Sequence, residues 1–459
     1  MIQGPESEGA IRTLDLGSPW TQDTGLYDGS GMEPLLAARL QMALTLGFHI
    51  IFACFGMGLP ILLLVAEGRY LKTGDPEWKA LARRWSKAFA VLFAVGAVSG
   101  TVLSFELGLL WPRFMGTFGP VIGLPFSLEA IAFFVEAIFA GIYLYGWDRL
   151  SPRAHWLSGF PIAIAGLASA VFVVTANAWM NCPQGFTLRG GKVIAAEPVS
   201  AMLNPASGPQ VVHMVLAAGL VCGFGVASIY AAARLRGNDS PRVRRAMMLG
   251  LAMGALCAPL QAVSGDWAAR TVARTQPAKF AALEGQFKTE AGAPLRIGGL
   301  PDPETETTRY AIEIPGGLSW LAHGDAGKVV EGLDRVSRAD RPPVVVVHLA
   351  FQLMIGAGLF LLAIAFWTGG SLIVRRKIPA TRPFLWLVVL AGPLAVIGLE
   401  AGWIVTEVGR QPWIVQGVMR TRDAVTDAPG IGWAFAAALF IYATLTTGTL
   451  VALRHLARK

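Results

Sequence analysis

The sequence predicts an all-α, polytopic membrane protein: nine transmembrane helices in a bundle, with the N-terminus outside and the C-terminus cytoplasmic. Three observations carry this. Of the 459 residues, 54% are hydrophobic and only 15% are charged, which is the composition of membrane spans and not of a soluble core. Nine apolar runs lie near 36–66, 85–110, 121–147, 156–180, 208–233, 243–265, 344–370, 383–408 and 431–454. Each is long enough to cross about 30 Å of hydrocarbon as a helix. The connections also alternate in charge. The first carries Arg69, Lys72, Lys79, Arg83, Arg84 and Lys87, and the third Arg149 and Arg153. The fifth has Arg234, Arg236, Arg242, Arg244 and Arg245, and the seventh Arg375, Arg376, Lys377 and Arg382. The intervening connections are poorer in Lys and Arg for their length, so the basic ones are assigned to the cytoplasm.

The net charge of +8 sits in these short connections, where it sets orientation and gives no nucleic-acid signal. Cys54, Cys222 and Cys257 lie inside apolar runs and Cys182 at the end of one. No CxxC pair exists, so neither a zinc site nor a disulfide framework is expected.

In chain order, residues 1–34 form a polar extension without the basic start of a signal peptide, and are expected to be disordered. Met32 opens a segment that runs straight into the first span, so a chain starting there is expected to assemble. Residues 35–265 hold transmembrane helices 1–6. Residues 266–343 form a long external loop, with a Pro-led amphipathic helix at 276–288 and a Gly-, Pro-, Asp- and Thr-rich remainder expected to be mobile. Residues 344–459 hold helices 7–9. Trp85, Trp111, Trp156 and Trp179 fall at span ends, as an interfacial belt requires. His155, His323 and His455 fall in loops or at an end, where solvation explains them.

Ionisable groups inside the spans are expensive and therefore informative. Glu129 and Glu136 lie seven apart on the third span, on one face and roughly 10 Å apart along the axis. They suggest a proton relay, with a structural salt bridge as the competing explanation. Glu400 and Glu407 repeat this spacing on the eighth span, with Arg410 just beyond; the bland reading is a solvated helix end. His49, His213 and His348 lie in or at the edges of apolar runs. A lone histidine there is most often packing, but three of them with Met354 and Glu407 suggest metal or haem ligation. His348 and Met354 are six apart, about 240° around a helix, and cannot serve one site. Glu106 is either structural or a partner for a cofactor. The charge rule puts His49, His213, Met354 and Glu407 in the outer half of the membrane.

Several motifs resemble subunit I of the cytochrome bd-type quinol oxidases, over about 33–455. They are RLQMALTLGFH (39–49), GLPFSLEAIAFFVEA (123–137), YGWDRLSP (145–152), ANAWMNCPQG (176–185), VVHMV (211–215), QPAKFAALE (276–284), FQLMIG (351–356) and GRQPW (409–413). The last is the most specific. Gln352 stands where many members have Arg, which resembles the cyanide-insensitive branch.

The resemblance implies three haems: a low-spin haem b held by His213 and Met354, a high-spin haem b, and a haem d or second high-spin haem b. His49 and Glu407 are implied as iron ligands at the high-spin pair, with Trp403 and Gln352 among the cofactor-binding residues. Lys279 and Glu284 are implied to bind quinol, Glu129 and Glu136 to bring protons, and Glu407 with Arg410 to take part in O2 reduction. Quinol would be oxidised at the outer face and O2 reduced with cytoplasmic protons, charging the membrane without pumping. A second membrane subunit, with or without a small single-helix one, is implied in a bacterial cytoplasmic membrane. Two alternatives stand beside this: a proton-coupled transporter, and a haem b carrier that takes quinol electrons without touching O2.

Overall fold

The computed structural model describes residues 32–458. Among them, nine helices are long and apolar enough to cross a membrane. They are α1 (Pro34–Thr73), α2 (Pro76–Leu110), α3 (Pro112–Gly146), α4 (Pro152–Asn181), α6 (Ser207–Leu235), α7 (Pro241–Thr275), α10 (Val344–Arg375), α11 (Arg382–Val408) and α13 (Ile431–Arg458). Four short helices complete the α elements: α5 (Pro198–Met202), α8 (Pro277–Glu284), α9 (Gly317–His323) and α12 (Thr421–Ala424). The expectations for residues 1–31 lie outside the described residues.

Local chemistry sets the helix starts. A proline stands at the first turn of α1, α2, α3, α4, α7 and α8, where its missing N–H costs nothing. Asp75, Ser151 and Ser240 accept from backbone N–H groups at the starts of α2, α4 and α7, as N-caps do. Most helices run several residues beyond their apolar stretch. Basic connections pair with acids as the chain turns: Arg83 with Asp148, Arg242 with Glu77, Arg245 with Asp75 and Arg234 with Asp239.

Small residues bring helices together. A Cβ on Gly223 would meet the Gly254 backbone at 2.6 Å, and one on Gly250 the Ala227 backbone at 2.7 Å. Such backbone approach between α6 and α7 suits lipid, where van der Waals packing drives helix association. Helices α6, α7, α10 and α11 form a ring: α6 packs on α7, α7 on α10, α10 on α11, and α11 on α6. Helix α1 packs on α2, α4, α6 and α13. The largest core cluster spans α1, α6, α7, α10 and α11.

Several expectations need correction. The segment after α7 is folded. Three antiparallel ladders organise it: β3 (Glu290–Ala291) with β8 (Val329–Val330), β4 (Leu295–Ile297) with β7 (Ile312–Ile314), and β5 (Leu300–Asp302) with β6 (Thr307–Arg309). Two more ladders follow α4 and α11: β1 (Phe186–Arg189) with β2 (Lys192–Ala196), and β9 (Trp413–Val415) with β10 (Met419–Arg420). The all-α bundle thus carries small β ladders outside its spans. Helix α8 is buried on nearly every side and not amphipathic, because α7 and α10 both pack against it.

His155 is not solvated. It lies on α4 at 2% exposure, its Nδ1 2.6 Å from Glu67 and its Nε2 2.8 Å from the Tyr143 carbonyl. Nor do the four expected belt tryptophans ring the bundle. Trp85, Trp111 and Trp179 are buried, and the indoles of Trp85, Trp156 and Trp179 donate to Tyr230, Leu64 and Gln184. Exposed tryptophans instead include Trp267, Trp367, Trp386 and Trp433.

Candidate functional site

His213 lies six residues past the start of α6 (213 − 207), about 9 Å from that end. Its Nδ1 is 3.0 Å from Ser264 Oγ, and that hydroxyl donates to the Gln261 carbonyl. The imidazole therefore carries its proton on Nδ1, leaving the Nε2 lone pair free to accept, here from the Gln261 amide at 2.9 Å. This is the tautomer that binds metal through Nε2. His49 on α1 uses the same device. Its Nδ1 is 3.1 Å from Ser99 Oγ, which donates to the Val95 carbonyl. A serine one helix away thus orients each histidine. Neither Ser99 nor Ser264 stood out in the sequence, since a serine on an apolar helix is common.

Glycines face these ligands. A Cβ on Gly265 (α7) would stand 3.5 Å from His213, one on Gly402 (α11) 3.1 Å from Met354 Sδ, and one on Gly100 (α2) 2.8 Å from His49. His213 and Met354 sit on α6 and α10, across the four-helix ring from each other, with Gly265 and Gly402 on the two helices between them. No direct contact joins the imidazole to the thioether. The donor set fits a haem: imidazole and thioether opposed across a ring whose other walls carry glycine.

Glu407, at the end of α11, accepts from Asn177 on α4 and, at 2.6 Å, from Arg410 Nη2. Arg410 is 2% exposed, and its Nε and Nη1 have no hydrogen-bond partner. A buried guanidinium with two free donors suits a carboxylate-bearing group. Glu400, on the same face, turns instead toward α1: its Oε2 lies 3.1 Å from where a Gly47 Cβ would be, and its Oε1 is buried without a partner. Trp403 packs against the core cluster of the ring. Glu106 accepts from Gln41 at 2.9 Å, and its second oxygen is unpartnered.

Lys279 and Glu284, both on α8, are 4% and 1% exposed, so the loop does not present them as a solvated face. They are not joined as an ion pair. Lys279 Nζ donates to Asn181 Oδ1 and to the Thr406 carbonyl. Asn181 donates in turn to Asn177, which donates to Glu407. Burial pulls the Lys279 ammonium down to about 7, assisted by Arg410 and opposed by Glu407. Burial pushes the Glu284 carboxyl up to about 8, against the pull of Arg296. Both groups thus exchange protons near neutrality. Gln352 is spent on the loop backbone: its Oε1 accepts from Gly298 N at 2.9 Å and its Nε2 donates to the Arg296 carbonyl at 3.2 Å.

Glu136 on α3 is 6% exposed, set against Gly56 of α1 and Gly166 of α4. Glu129 accepts from Ser169 of α4 at 3.3 Å. Ser169 is three residues from Gly166, so one face of α4 runs past both carboxyls.

Residues 37–459 match the model of the family described as cytochrome bd terminal oxidase subunit I. A Bacillus subtilis (strain 168) protein named "Putative cytochrome bd menaquinol oxidase subunit I" is 39% identical, covering 93% of this chain and 97% of its own. The cytochrome bd-II ubiquinol oxidase subunit 1 of Escherichia coli (strain K12) is 29% identical, covering 84% and 88%. The solved structure of bd oxidase from Geobacillus thermodenitrificans superposes with a TM-score of 0.87 at 38% identity, covering 94% of this chain and 99% of that one. The chain belongs to the cytochrome bd terminal oxidase subunit I family, the haem-containing, multi-pass membrane subunit of a quinol oxidase that works with a subunit II.

Proposed function

We propose that this chain carries quinol oxidation and O2 reduction through three haems, with His213 and Met354 holding a low-spin haem and His49 and Glu407 serving the high-spin pair. Haems bound there would supply the one-electron steps between quinol and O2. The observation that carries the reading is the continuous polar chain Lys279–Asn181–Asn177–Glu407–Arg410. It ties the loop helix to the GRQPW turn and so links the quinol residues to a proposed ligand.

In this reading Lys279 and Glu284 receive the quinol hydroxyls, and the ionised form of Glu284 takes up a proton from them and releases it outside. Arg410 holds Glu407 in place and offers its two free donor nitrogens, Nε and Nη1, to an acidic substituent. The two serines fix the tautomer of both histidines. Glu136 and Glu129 carry protons toward the site from the opposite, basic end of the bundle, with the Ser169 hydroxyl beside Glu129 as part of the path. The charge rule makes that end cytoplasmic and the α8 end external. Quinol protons then leave outside while those for water come from inside, which charges the membrane without a pump. The complex sits in the bacterial cytoplasmic membrane, with a small single-helix subunit as a further partner. Membership in a terminal oxidase family speaks against both the transporter and the carrier that never meets O2.

The test is a Lys279→Met variant of the purified complex, assayed for quinol oxidation beside a haem spectrum. A large loss of quinol turnover with unchanged haem content is expected. Wild-type kinetics would remove Lys279 from the quinol site.

A further inference from the structure

His348 plays no part in the scheme above, yet it is fully buried, at 0% exposure, in the first turns of α10. Its Nδ1 lies 2.8 Å from the Leu283 carbonyl and its Nε2 3.1 Å from the Gly298 carbonyl. Carbonyl oxygens only accept. A neutral imidazole has one N–H and satisfies one of the two; only the imidazolium donates to both. Leu283 is among the last four residues of α8, whose carbonyls lack partners within the helix. The neighbouring carbonyls of Ala281 and Ala282 are taken by Gln286 and Gly285, and His348 takes that of Leu283. A cation suits a helix C-terminus. Gly298 opens the turn between β4 and β5, and its N–H is held by Gln352. His348 therefore bridges the two parts of the loop that flank Glu284.

We infer that His348 is a positioning residue of the quinol site, whose buried imidazole clamps the end of α8 to the β4–β5 turn and thereby fixes Glu284. The inference rests on the reading of Lys279 and Glu284 as the quinol site. The charged and titratable groups around the clamp are few. On α8 they are Glu284, which follows the bridged Leu283, and Lys279, which is held away by Asn181 and Thr406. The loop brings Arg296, bonded to Gln286 and Glu313, and Asp302, paired with Arg309. Helix α7 ends in Arg270, paired with Asp266, and Arg274. Helix α11 offers Glu407, already paired with Arg410. Residues 344–352 of α10 carry no other charge.

Without the imidazole both bonds are lost, the turn opens more often, and Glu284 loses its fixed place. The first measurement is hydrogen exchange of residues 298–310 in the intact complex, His348→Phe against wild type. Protection should fall about tenfold or more, the scale of one lost charge-assisted bond. Unchanged protection overturns the clamp. Glu284→Gln should keep wild-type protection there; an equal fall in that variant assigns the effect to the carboxyl and also overturns the clamp.

The second measurement is the quinol KM of His348→Phe, with haem content confirming assembly. It should rise about tenfold, while kcat changes little. An unchanged KM beside an impaired Glu284→Ala enzyme overturns the positioning role. An unimpaired Glu284→Ala enzyme removes the quinol-site reading itself, and the exchange data then show whether the clamp exists apart from it.

Discussion

The glycines beside the histidines allow the haem assignments to be tested without touching a ligand. Gly100→Ala places a methyl 2.8 Å from His49 Cε1, where ordinary carbon contact begins near ~3.5 Å. The ring must retreat by about 0.7 Å (3.5 − 2.8), and it is not free to do so. Ser99, the preceding residue on α2, holds its Nδ1 at 3.1 Å. Overpacking of this kind costs about 1–3 kcal/mol, and about 1.4 kcal/mol is tenfold in an equilibrium. The same change at Gly265 puts a methyl at 3.5 Å from His213, which demands no movement. Gly402→Ala is intermediate, at 3.1 Å from Met354 Sδ. The assay is a reduced-minus-oxidised spectrum of each purified complex, with a CO difference spectrum to report the high-spin haems. Gly100→Ala should reduce or shift the high-spin signal alone, and Gly402→Ala should mildly perturb the low-spin one. Gly265→Ala should disturb the His213 ring least of the three. A normal CO spectrum in Gly100→Ala would refute the assignment of His49.

Two further outcomes follow from buried carboxyls. Glu284 has a folded-state value near 8 against an ordinary 4.5. An acid raised in this way disfavours docking of α8 increasingly as pH climbs from 4.5 to 8, by about 3 kcal/mol at pH 7 (2.5 × ~1.36). Glu284→Gln should remove that loss, seen as α8 amide protection that no longer falls over this range, while quinol oxidation slows; an unchanged pH profile of protection counts against the buried carboxyl. Glu136→Leu should slow O2 consumption with excess quinol severely and Glu136→Asp less. Wild-type turnover with continued acidification outside proteoliposomes would place the proton path elsewhere.

The nine spans were legible because hydropathy and length report membrane crossing directly, and each apolar run became one helix. The loop helix was legible from Pro277 and the QPAKFAALE motif. Its burial was not, because α7 and α10 cover both of its sides and neither contact is visible in a local pattern. The ladders around it are two or three residues per strand, too short for alternation to register. His155 was misread for a related reason: its position just past Pro152 looks like a loop, and only Glu67, 88 residues away, explains its burial. The same distance problem hid Ser99 and Ser264. Position at a span end suggests an interfacial belt, whereas the indole N–H groups of Trp85, Trp156 and Trp179 have hydroxyl and carbonyl partners within the protein.

In the proposed scheme an imidazole and a thioether, opposed across the four-helix ring, hold a low-spin haem that takes electrons from quinol. Met354→Leu tests it most directly, since leucine keeps the volume and removes the donor sulfur. The purified complex should lose its low-spin spectrum and its quinol oxidation together, while the CO-reactive haems remain. A Met354→Leu complex with an intact low-spin spectrum and wild-type quinol turnover would contradict it.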